Sequence, residues 1–61
     1  MKKSPILWLV VADECDKAAQ EHYENWMDYR FHNAPRQAEC EYAHYEEQLR
    51  AARYARRKAK A

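Results

Sequence analysis

Sixty-one residues bound the chain to one domain, and a domain of that size leaves about 40% of its unfolded-state surface exposed. Eleven Lys and Arg against ten Asp and Glu leave a formal charge of +1, so bulk electrostatics select no class of partner. The absence of glycine, with only two prolines, excludes glycine-rich phosphate loops, dinucleotide-binding turns and most small all-β folds.

An apolar share of 48%, with five Tyr and two Trp, calls for a folded unit rather than a disordered tail. So small a core could hardly hold rigid first and second layers around a reacting group, and a non-enzymatic protein is expected. Two cysteines are too few for a secreted disulfide scaffold. The amino-terminal Met1-Lys2-Lys3-Ser4-Pro5 leads into the apolar run Ile6 to Ala12, which stops at Asp13-Glu14 without a small-residue cleavage pattern. That run is far shorter than the ~20 apolar residues of a membrane span. A cytoplasmic protein with no membrane association is expected.

Ser4-Pro5 is a helix-start signal, because Ser caps and Pro at the first helical position has no amide proton to lose. Nothing breaks the helix from there to Phe31. His32-Asn33-Ala34-Pro35 is the one punctuation: Asn tolerates the left-handed conformation, and the residue before Pro is pushed out of the α region. Pro35 opens a second helical stretch. The expected form is a single all-α domain, an antiparallel two-helix hairpin with helix 5–31, turn 32–34 and helix 35–60.

Periodicity agrees with this reading. Trp8, Ala12, Cys15, Ala19, His22, Trp26 and Tyr29 alternate spacings of four and three, with charged residues on the other side of the wheel. Ala38, Tyr42, Tyr45, Leu49, Ala52, Arg56 and Ala59 repeat the pattern. Folding back at Asn33 pairs Trp26 with Tyr42, His22 with Tyr45, Ala19 with Leu49 and Cys15 with Ala52. Trp26 and Leu49 are the expected core anchors, and Cys15 and Cys40 stand too far apart in level to bridge. The run Ile6-Leu7-Trp8-Leu9-Val10-Val11 is apolar all round, and its β-branched content also permits a short strand over residues 6–11. One hairpin cannot bury it, so a second chain or a target is implied.

Candidate chemistry is sparse. Cys40, His44 and Glu47 share a helix face, yet zinc needs four ligands and no second pair exists, so no metal or other cofactor is expected. His22 sits between Ala19 and Trp26 without a nucleophile in reach, and its expected partner is the Tyr45 hydroxyl. Arg50, Arg53, Arg57 and Lys60, with Arg56 beside them, form a basic stripe able to follow a phosphate backbone. The segment from about Gln48 to Ala61 resembles the arginine-rich helices with which some phage antitermination proteins bind RNA hairpins, and implies RNA binding. In length and topology the whole chain resembles the plasmid-encoded Rop-type hairpins, which dimerise into four-helix bundles and bind RNA.

Charge is segregated along the chain. Residues 13–28 hold six acids against Lys17, and residues 50–60 hold six bases and no acid. Such a pattern suits docking in a definite orientation. The expected function is therefore a small protein–protein interaction module, a phage- or plasmid-type accessory protein or inhibitor that binds a larger host protein, as a homodimer or in an obligate complex. Its contact residues are expected to be Ile6, Leu7, Leu9, Val10, Tyr23 and Tyr54. The alternative is an RNA- or DNA-binding hairpin that uses Arg50, Arg53, Arg56, Arg57 and Lys60.

Overall fold

The computed structural model describes residues 4–60. Two helices, α1 (Pro5–Phe31) and α2 (Pro35–Lys60), pack against each other as an antiparallel hairpin. Ser4 caps α1: its extended backbone sets Oγ to accept from the Leu7 amide at 3.3 Å, and its carbonyl accepts from Trp8 at 3.1 Å. With Pro5 filling the first helical position, the run 6–11 is helical and not a strand. A capped start and an uninterrupted hydrogen-bond ladder outweigh the β-branched propensity of Ile6, Val10 and Val11.

The turn closes by local chemistry. Asn33 adopts the left-handed region at φ 55, where the Cβ penalty is lowest for Asn among non-glycine residues. Its amide donates to Arg30 O at 3.2 Å, and the Ala34 amide donates to Tyr29 O at 2.9 Å. His32 donates twice to Asp28 O, from its amide at 3.1 Å and from ring Nδ1 at 2.9 Å. These bonds satisfy carbonyls that the end of α1 would otherwise leave orphaned.

Between the helices lies a seam of alanines. Ala12, Ala19, Ala38, Ala52 and Ala55 are all at most 4% exposed, and no larger side chain among the described residues is buried. Small side chains let two helix backbones approach closely, which pushes every larger group out to the flanks. Two expected core anchors, Trp26 and Leu49, are accordingly half-buried. Tyr29, Tyr42 and Arg56, expected in the seam, are exposed. On α2 the contact is turned by one position, so that Ala55 lies inward, with Glu41 and Gln48 half-buried beside the seam, in place of Tyr42 and Arg56. Ala55, fully buried, fits under α1 where an arginine has no room.

Both cysteines are free thiols. No helix among the described residues is long and apolar enough to cross a membrane.

The seam generates a stability prediction. Ala52→Leu inserts three heavy atoms at a position that is 1% exposed between the helices and should cost about 1–3 kcal/mol through overpacking. Thermal melting followed by circular dichroism checks it, with the exposed Ala43→Leu as the control expected to melt like the parent.

Candidate functional site

The first two turns of α1 form an apolar end. Ile6 is 73% exposed, Leu7 and Leu9 53%, and Val10 49%. Only the Trp8 and Ala12 positions point toward α2, so side chains at the other angles of the wheel have no facing helix to cover them. Trp8 reaches across to Tyr54, edge to face with centroids 5.8 Å apart, and Lys58 Nζ stands 5.4 Å from the Tyr54 ring centroid. Tyr54 is thereby held beside the apolar turns while remaining 49% exposed. Of the six residues expected at the contact, the fold gathers five at this end: Ile6, Leu7, Leu9, Val10 and Tyr54.

Tyr23 lies elsewhere. Thirteen positions beyond Val10, it is about 20 Å further along the helix. There it joins a closed ring of four aromatics. Tyr23–Trp26, Trp26–Tyr42, Tyr42–Tyr45 and Tyr45–Tyr23 have centroids 5.3–5.6 Å apart, all tilted by 42–50°. Tilted pairs at such distances set positive ring edges against negative faces. Arg30 covers the outer face of Trp26, its Cζ 4.9 Å from the ring centroid. Met27 and Phe31 line a shallow groove with Tyr23, Trp26 and Arg30, and are 52% and 87% exposed. The turn end therefore carries a second apolar surface. Its signal in the sequence is the i, i+3 and i, i+4 spacing of Tyr23, Trp26 and Met27, together with Tyr42 and Tyr45 at the same level of the returning helix.

His22 takes a different partner from the one expected. Its Nδ1 lies 2.5 Å from Glu41 Oε2, with both side chains mostly buried. A carboxylate only accepts, so the ring nitrogen carries the proton of this bond. The rotation of α2 that turns Tyr42 outward brings Glu41 in, and Tyr45 turns to the aromatic ring instead. His44 stacks on His22 with centroids 5.1 Å apart, so it joins this flank of the seam rather than a separate face with Cys40. Among the described residues no three His, Cys, Asp or Glu side chains converge as metal ligands would.

The basic residues divide. Arg56 pairs with Asp16 across the helices. Arg50, Arg53, Arg57 and Lys60 are exposed and form no ion pair with any described residue. Lys17 pairs with Asp13 one turn away at 3.5 Å. Pairs as open to water as these contribute at most about 1 kcal/mol, so they orient the surface more than they stabilise the fold.

The fold defines a helical hairpin with an apolar open end and an aromatic turn end. Compared with family models, curated proteins and solved structures, the chain matches none.

Trp26 contacts two tyrosines and an arginine yet is only half-buried. Trp26→Ala should therefore cost about 2 kcal/mol, less than the 3–5 typical of a fully buried ring. Urea denaturation monitored at 222 nm checks the size of the loss.

Proposed function

We propose that this chain is a non-enzymatic protein–protein interaction module whose target contact is the open end of the hairpin, centred on Ile6, Leu7 and Val10 with Tyr54 beside them. One observation carries the reading: among the described residues the hairpin buries five alanines while nine large apolar or aromatic side chains remain more than a third exposed. Each wet aliphatic side chain forfeits on the order of 1.5–3 kcal/mol that a partner's surface could recover, and contiguous exposure of this kind marks interfaces. Arg50, Arg53, Arg57, Lys58 and Lys60 belong to the same half of the molecule as this patch. The partner chemistry that suits it is an apolar depression rimmed by carboxylates on a larger protein. A phage- or plasmid-type accessory protein or inhibitor is a role compatible with so small a binding unit, acting by occupation of a surface on a host protein.

Val10→Asp and Leu7→Asp test this reading, because both positions are exposed and tolerate a charge without unfolding the helix. With a photo-crosslinking residue in place of Ile6, the parent chain should form one discrete adduct with a host protein. Val10→Asp and Leu7→Asp should each reduce the adduct at least tenfold at unchanged helicity. Equal adduct yields from parent and variants would move the contact away from the open end.

Nucleic-acid binding is the second reading, favoured by one specific feature: among the described residues four cations of the stripe form no ion pair, while Arg56 is neutralised by Asp16. Binding that neutralises phosphates releases counterions and weakens steeply with salt. Under the first reading a fluorescent RNA hairpin shows no binding at physiological ionic strength. Under the second, its affinity falls by orders of magnitude between low and physiological salt, and Arg53→Ala flattens that slope.

A further inference from the structure

We infer that the hairpin pairs with a second copy of itself in one defined register. The two copies lie face to face and antiparallel, so that the open end of each covers the turn end of the other. The inference rests on the reading of the chain as an association module and names one partner for it.

Charge along the rod is the first ground. Among the described residues the open half, 4–19 and 49–60, holds seven bases and three acids, and the turn half, 20–48, holds seven acids and two bases. Parallel copies would set like ends together, and antiparallel copies set opposite ends together. The stripe on α2 gives this a register. Glu39, Glu46, Arg53 and Lys60 recur every seven residues, hence along one line of the helix. All four are exposed, and none forms an ion pair with a described residue. Reversed against itself about a point between Leu49 and Arg50, this acid-acid-base-base stripe sets Glu39 opposite Lys60 of the partner subunit and Glu46 opposite Arg53 of the partner subunit. Two-fold symmetry then repeats both pairs.

A second stripe, on α1, accepts the same axis through one apolar pair. Leu9, Asp16 and Tyr23 recur at the same seven-residue spacing, with Met27 one turn beyond Tyr23. The line is apolar at its two ends and polar between them. Reversal about Ala18 lays Leu9 on Met27 of the partner subunit. The contacts of Trp26 with Tyr42 and of Tyr23 with Tyr45 place Ala18 level with Arg50. Both stripes therefore turn about one axis. They also belong to one face, because Asp16 pairs with Arg56 and Tyr23 touches Tyr45 on the flank opposite to His22 and Glu41.

The face is large enough. The whole molecule extends 45 by 16 Å along its two longer axes between Cα atoms, so one broad side of it is comparable to the roughly 800 Å² per partner of a standard interface. Leu9, Tyr23, Met27 and Tyr42 supply its apolar contact, and the charge pairs fix direction more than affinity. Leu7 and Val10 point off this face and stay available to a target. Arg53 and Lys60 are covered in the dimer, which withdraws them from nucleic acid.

Sedimentation equilibrium of the full chain, together with charge exchange, tests the register. The parent should be a dimer. Glu39→Lys with Glu46→Lys should raise the dimer dissociation constant at least tenfold at unchanged helicity. Adding Arg53→Glu and Lys60→Glu to the same chain should restore it, because the exchanged stripe is again self-complementary. Leu7→Asp should keep the dimer while losing the target, which separates failure of this inference from failure of the proposed function. Orientation is read independently from a spin label on native Cys40 in a Cys15→Ala background. Antiparallel copies put the two labels about 30 Å apart along the axis, whereas copies with their turns together hold them at one level and much closer. A monomeric parent, a charge exchange that fails to restore the dimer, or the short label distance would each overturn the inference.

Discussion

Alanine on alanine is the contact on which the rest of this molecule depends. Ala12 and Ala19 of α1 and Ala38, Ala52 and Ala55 of α2 lie along the seam with almost no exposed surface, and side chains so short allow close approach of the backbones. Close approach has a consequence for every larger residue, which finds no space between the helices and lies along one of the two flanks. The aromatic ring, the His22–Glu41 bond and the Asp16–Arg56 pair are all flank structures of this kind. The seam itself contributes little hydrophobic free energy, because a methyl group removes little area from water. The apolar side chains able to stabilise the hairpin further are those that only another molecule can cover.

The two ends of the rod differ in kind. At the turn end, four rings close on one another and Arg30 lies over Trp26, giving a partly ordered apolar surface inside an acidic half of the molecule. At the open end the apolar groups are aliphatic and unsupported except through Trp8 and Tyr54, inside a basic half. A surface built this way carries its own direction. On the proposed reading, opposite charges would bring a partner in along one orientation, and desolvation of aliphatic or aromatic groups would then hold it.

Much of the hairpin was legible in the sequence. Ser4-Pro5 and His32-Asn33-Ala34-Pro35 mark ends that form at those residues because caps and left-handed turns are local events, decided within a few positions of the chain. The four-three spacing of Trp8, Ala12, Cys15, Ala19, His22 and Trp26 told which side of α1 faces inward. The pairing of Trp26 with Tyr42 followed from the position of the turn, since two helices leaving it at 1.5 Å per residue stay in step. The excess of apolar residues at 6–11 over what one partner helix can cover was visible from their contiguity alone.

Only the tertiary structure decided the rotation of α2, and with it which residues share a flank. Seen alone, α2 presents Ala38, Leu49 and Ala52 equally well with Tyr42 and Arg56 on one side of them or Glu41 and Ala55 on the other. Close packing against Ala12 and Ala19 selects the second, because volume across a contact is a property of both helices at once and is not written in either. From that rotation follow the replacement of Tyr45 by Glu41 as the partner of His22, the stacking of His44, and the closure of Tyr23, Trp26, Tyr42 and Tyr45 into one ring. Sequence by itself determined the lengths, ends and charge order of two helices; the size of the side chains between them determined which surfaces those helices present.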